Sequence, residues 1–241
     1  MAKKRVVVVC PGRGSYTRET SNYLSGLKPD ISNHIINFDK KREAKNLTKI
    51  SELDKNIFRS KTHMTGENAS PLIYACSVKD FLLIDKKKYD VVAICGNSMG
   101  WYIALALGGV IDFDKGYDLI QTMGTLTQKH GSGGQIIYPI INDEWQIDIE
   151  KKELVLKEIN NSDSFISIYL GGYIVIGGEQ DSLDRLLKKL PANDNYPFQI
   201  PFHSAFHTSL LSDVVSIAKS SLNHNLFNRP LVPLVDGRGH I

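Results

Sequence analysis

The pentapeptide Gly96-Asn97-Ser98-Met99-Gly100 carries a hydroxyl whose setting suits nucleophilic chemistry. It follows an apolar, β-branched run (residues 90–95, DVVAIC) and precedes a helical pattern over residues 101–107. Glycines on both sides let the chain turn sharply and permit close strand–helix packing. The Ser98 hydroxyl then stands at the carboxyl end of a strand and the amino end of a helix. There the backbone amide of Met99 is aimed at charge developing on an attacked carbonyl oxygen. A Gly-rich packing turn is the plain alternative, and the strand–turn–helix context favours the nucleophile.

A second loop, Pro11-Gly12-Arg13-Gly14-Ser15, follows the first apolar run. It lacks both the P-loop lysine and the full GxGxxG spacing, so a phosphate cradle is a weak reading. Its better use is to supply a second amide, that of Arg13, to an oxyanion hole. A serine nucleophile also needs a general base. Among the seven histidines, His203 and His207 stand together in Phe202-His203-Ser204-Ala205-Phe206-His207-Thr208. Their spacing would allow an i, i+4 metal pair on a helix. No HExxH glutamate accompanies them, and Pro201 with the aromatics argues against a helix there, so no metal is expected.

The elements that must position these residues follow from patterning. Residues 5–10 (RVVVVC) and 90–95 read as central parallel strands buried on both faces. Ser70-Pro71 reads as the cap and first turn of a helix. Asp112 caps a further helix to about residue 127. From residue 130 the texture changes: strand over 135–141, helix over 150–160, strands over 165–170 and 173–176 joined at Gly171-Gly172, and helix over 182–190. That order suggests an inserted α+β subdomain of ferredoxin-like type. The division expected is 1–129 with 198–241 as the core and 130–197 as the small subdomain. A helix over about 207–222 and a strand over 231–235 follow, whereas residues 30–67 give no clear pattern.

Bulk properties are those of a globular protein, with 42% hydrophobic and 23% charged residues and a net charge of +3. Lysines are mixed with acids, as in Lys151-Lys152-Glu153, so no nucleic-acid partner is expected. No apolar run approaches the roughly 18 residues that span a bilayer, and no signal-peptide pattern opens the chain. Cys10, Cys76 and Cys95 form no CxxC pair, and a reducing cytoplasm is the expected setting.

Three stretches give the sequence a family resemblance. CPGRGS (residues 10–15) is similar to a PGQGSQ loop, GNSMGWYIALALGGVID (96–112) to GHSLGEYxAL…AGxxD, and IPFHSAFHTSLL (200–211) to a stretch ending in a catalytic histidine. GGYIVIGG (171–178) is similar to PGQxVIAG. These are motifs of the malonyl-CoA:acyl carrier protein transacylases and of the acyltransferase domains of fatty acid and polyketide synthases. They run through nearly the whole chain in the right order. The resemblance implies an α/β fold, a hydrolase-like core with a parallel sheet plus the ferredoxin-like insert. It implies ping-pong chemistry without a resident cofactor: Ser98 takes an acyl group from an acyl-CoA substrate and passes it to an acyl carrier protein. It places the base on His207 and the oxyanion amides on Arg13 and Met99.

Four departures from the family pattern bear on the substrate. Met123 stands where the family has the arginine that holds the malonyl carboxylate, and a thioether cannot make that bidentate pair. Asn97 replaces a histidine and Trp101 a glutamate. With His203, these residues are the expected acyl-pocket set, and the acyl group expected is not malonyl. The sequence reaches Ile241 before the helix, strand and GPG turn that follow in the family and help orient the histidine. The resemblance therefore implies either a longer chain or another support for His207. The Arg13 side chain has two uses open to it: toward an acidic acyl group, or toward solvent or a coenzyme A phosphate. Two other classes stay open. A serine hydrolase would need an acid between Ser98 and His207, for which Asp181 and Asp184 are available on a subdomain helix. A degenerate, non-catalytic docking domain would explain the pocket changes but not the retention of Ser98 and His207.

Overall fold

A computed structural model describes residues 2–222 and 227–241. In chain order the first elements are β1 (Lys4–Cys10), α1 (Pro29–Glu43), α2 (Ile50–Lys55), α3 (Ser60–His63), α4 (Gly66–Leu82), β2 (Tyr89–Gly96), α5 (Met99–Leu107) and α6 (Phe113–His130). They are followed by β3 (Gly134–Pro139), α7 (Ile149–Asn161), β4 (Phe165–Leu170), β5 (Tyr173–Gly178), α8 (Gln180–Lys189), β6 (Phe198–Gln199), α9 (Ser212–Ser221) and β7 (Leu234–Val235). The chain divides into two compact units, Met1–Thr125 with Leu222–Ile241, and Leu126–Ser221. The second unit includes His203 and His207, whereas the division expected from the sequence places residues 198–241 in the core.

In the first unit, β1, β2 and β7 form a parallel sheet in the order β1-β2-β7. The β1–β2 register runs from Lys4↔Tyr89 to Cys10↔Gly96, so the ends of both strands, and the loops they feed, lie side by side. β2 is the middle strand of this sheet, as expected, but only Ile94 along it is fully buried, and for β1 the expectation fails. Among the described residues β1 pairs on one side only, and Val7 and Val9 are 53% and 72% exposed. An unbroken β-branched run reports strand propensity, not the number of neighbours a strand acquires.

The core of this unit packs α1, α2, α4, α5 and α6 around Phe38, Leu72, Tyr74, Ile94, Ile103 and Ile120. The helix expected to open at Ser70-Pro71 opens instead at Gly66, with Pro71 inside it. Proline offers no N–H to the carbonyl four residues earlier, here that of Glu67. Arg42 Nη1 at 2.9 Å and Gln121 Nε2 at 3.1 Å donate to that carbonyl instead. Arg42 is 1% exposed, and it also donates to Gln121 Oε1 at 2.7 Å, to Asn68 Oδ1 at 2.5 Å and to the Thr48 carbonyl. A buried guanidinium with its donors matched in this way is tolerated where an unmatched one would not be.

In the second unit, β3, β4, β5 and β6 form an antiparallel sheet in the order β4-β5-β3-β6. With α7 and α8 between the strands, the element order is β-α-β-β-α-β. The second core gathers Ile136, Tyr138, Ile159, Ile174, Ile176 and Leu183.

Candidate active site

Ser98 sits between β2 and α5 with φ 54° and ψ −117°. A left-handed φ at a residue with a side chain costs on the order of 1–3 kcal/mol and persists only where its surroundings impose it. Here the crowding does so. A Cβ at Gly96 would strike the carbonyl group of Gly100 and lie 2.8 Å from the Trp101 nitrogen. A Cβ at Gly100 would strike the Cys10 carbonyl and lie 3.0 Å from the Pro11 oxygen. The first turn of α5 thus rests directly on the end of β1, and both glycines are required by contact with backbone.

The same contacts explain why the two loops meet. Gly12 approaches Asn97 closely enough that its Cβ would stand 3.2 Å from the Asn97 carbonyl. The structure therefore brings Ser98, Asn97, Met99 and the 11–15 loop together. At the start of α5, Gly100 donates to the Asn97 carbonyl at 2.8 Å and Trp101 to the Ser98 carbonyl at 3.0 Å. As the helix's first amide, Met99 N–H is not used by the helical ladder. Its nitrogen is the one that directly follows Ser98 in the chain.

The Arg13 guanidinium is half-buried and donates from Nη2 to the Met64 carbonyl at 3.3 Å. Burial pulls its pKa down to about 10, which leaves it cationic near neutrality. Met123 lies on α6, partly buried against the core of this unit. The adjacent Gly124 is held against the Gly66 carbonyl and Ser70 of α4. Trp101 is half-buried and borders a cleft of about 540 Å³, shared with Leu231, Pro233, Asp236, Arg238 and His240. Its indole therefore faces the segment around β7. Asn97 is exposed.

His203 and His207, both in the second unit, lie on a turn, not a helix. Phe202 and His207 both have φ 59° and bracket it. Ala205 N–H donates to the Ser132 carbonyl at 2.8 Å, and the Thr208 hydroxyl donates to the Ala205 carbonyl at 2.6 Å. The His203 ring pairs through Nδ1 with Gln135 Oε1 at 2.8 Å and meets Phe206 edge-on at 5.2 Å. His207 keeps much of its surface in solvent, yet partial desolvation lowers its pKa from the ordinary histidine value. A ring biased toward the neutral form is fitted to accept a proton. Among the described residues, no group of three or more His, Cys, Asp and Glu side chains is placed to hold a metal ion. Among the same residues, no helix is long and apolar enough to cross a membrane.

Sequence reasoning missed Gln135, whose side chain is buried at 2% exposure on β3. The available signal was a lone amide opening an otherwise apolar strand.

No family model matches the chain. Among curated proteins it is 28% identical over 165 residues to the polyketide biosynthesis acyltransferase homolog PksD of Bacillus subtilis, covering 68% of this chain and 49% of that protein. The chain thus spans about half the length of that relative. It is 23% identical over 230 residues to the malonyl CoA-acyl carrier protein transacylase of Synechocystis sp., covering 94% of this chain and 72% of the relative. Among solved structures, the Synechocystis malonyl-CoA:ACP transacylase superposes with a TM-score of 0.77 at 17% identity, over 96% of this chain and 73% of that one. A malonyl-transacylase solved with a type II polyketide synthase acyl-carrier protein gives 0.77 at 19% identity, over 95% and 73%. The α/β fold is that of these transacylases. Curated and structural neighbours alike point to the malonyl-CoA:acyl carrier protein transacylase and polyketide acyltransferase family.

Proposed function

We propose that this chain transfers an acyl group from coenzyme A to the phosphopantetheine thiol of an acyl carrier protein, through an ester on Ser98. The observation that carries the reading is Ser98 itself, held in a left-handed conformation between β2 and α5 by glycines that leave no room for a side chain. In the first half-reaction Ser98 Oγ bonds to the thioester carbonyl carbon and His207 takes the hydroxyl proton. The carbon–sulfur bond breaks, and coenzyme A leaves as the thiol with that proton. In the second, the carrier's thiol gives its proton to His207 and attacks the ester, and Ser98 recovers its hydroxyl. The Met99 and Arg13 amides stabilise the oxyanion in both.

The reading is tested by offering acyl-enzyme either water or holo-carrier protein as acceptor. Transfer to the thiol must outpace release of free acid; faster hydrolysis would make the chain a thioesterase instead.

The acyl group in this reading lacks a carboxylate. Met123 supports it, because burying an unpaired carboxylate beside a thioether is unfavourable. Met123→Arg is therefore expected to shift the ratio of malonyl to acetyl acylation at Ser98 toward malonyl by about 10-fold or more, a charge-assisted pair being worth roughly 1.5–3 kcal/mol. An unchanged ratio in a competition assay would remove Met123 from the specificity determinants.

The lowered pKa of His207 fixes a pH dependence. The base works when neutral, so the rate of Ser98 acylation should rise with pH through a midpoint below the ordinary histidine value of 6.5 and level off above it. A midpoint above that value would mean that the ring is stabilised as the cation.

A further inference from the structure

We propose that Gln135, acting with Ser167, is a positioning residue for the histidine turn. This rests on reading His207 as the general base. The Gln135 amide stands on β3 and reaches both ends of the turn. Its Oε1 accepts from His203 Nδ1 at 2.8 Å, and its Nε2 donates to Ser167 Oγ at 2.6 Å and to the Phe206 carbonyl at 3.4 Å. Ser167, on β4, donates its hydroxyl to the same Phe206 carbonyl at 2.7 Å.

The orientation of the amide follows from its partners. The Phe206 carbonyl can only accept, so the nitrogen of Gln135 must face it and the oxygen must face His203. That oxygen can only accept, so His203 carries a proton on Nδ1, and in the neutral ring the lone pair is on Nε2. One buried amide thus selects the tautomer of His203.

It also holds the base. The Phe206 carbonyl belongs to the peptide that joins Phe206 to His207, and two donors from two strands fix that peptide plane. His207 follows it in a left-handed conformation, which a free turn would not keep. Launching the imidazole from a fixed peptide preserves the alignment that proton transfer needs, and a displacement of about 1 Å can cost about 100-fold.

Three variants test this. Gln135→Met keeps length and bulk without the hydrogen bonds, Ser167→Ala removes one anchor, and Ser167→Thr restores a hydroxyl. Single-turnover acylation of Ser98 with a panel of acyl-CoAs should slow by about 10- to 100-fold in Gln135→Met with the KM for acyl-CoA changed less than about 2-fold. Ser167→Ala should slow it too, and Ser167→Thr should recover most of the rate. Long-range proton–nitrogen NMR should show His203 protonated on Nδ1 in the wild type and as a tautomer mixture in Gln135→Met. A folded Gln135→Met that acylates at the wild-type rate would overturn the positioning role alone. A wild type that acylates with no acyl-CoA would overturn the functional reading and the positioning role with it, and a His203 tautomer unaltered in Gln135→Met would overturn the tautomer assignment by itself.

Discussion

Ser98→Ala should abolish acyl transfer, lowering turnover by about 10⁴-fold or more, while the protein stays folded. The size follows from the role: without the hydroxyl no ester forms, and the remaining amides and binding contacts accelerate only the background reaction. A companion variant separates chemistry from strain. Ser98 has φ 54° and ψ −117°, a conformation that penalises any side chain but not glycine. Ser98→Gly should therefore be as inactive as the alanine variant yet more stable than the wild type by about 1 kcal/mol. For a domain of this size that is roughly 2–4 °C in melting temperature by calorimetry. A wild type with higher stability than the glycine variant would show that the turn is relaxed.

The second large effect lies at Gly100. An alanine there would drive its Cβ into the Cys10 carbonyl, with the Pro11 oxygen 3.0 Å away. Neither is the movable end of a side chain. Gly100→Ala should cost about 3 kcal/mol or more, the upper range for overpacking, and should lose acylation because α5 lifts from the end of β1. Gly237→Ala is the matched control. A Cβ at Gly237 meets nothing within 4 Å, so the change should stay within about 0.5 kcal/mol. Urea unfolding of the two variants compares them directly.

Much of this was legible in the sequence because it depends on local turns. GNSMG between an apolar run and a helical pattern announces the elbow, and the Pro11-Gly12 turn announces the loop beside it. The two histidines declare themselves by type and their turn by Pro201. The illegible parts are those decided by distant neighbours. Helix α1 buries Ile31, Ile35, Phe38 and Arg42 on one face. Its fourth inward residue is an arginine, which breaks the apolar stripe and hides the helix. The reason that arginine is buried lies in the carbonyl freed by Pro71 and in Gln121. Likewise β1 reads as central from its valines, although edge and centre differ only in which strands come alongside. Gln135 looks like a misplaced polar residue until β4 and the 203–207 turn are folded against it.

Whether Ser98 carries the acyl group is read from the intact mass of the protein after incubation with acetyl-, longer-chain and malonyl-CoA, wild type and Ser98→Ala side by side. One acyl addition to the wild type is expected, stronger with the non-carboxylated donors, and none to Ser98→Ala. Equal labelling of both proteins, or a wild type unlabelled by every donor, would contradict it.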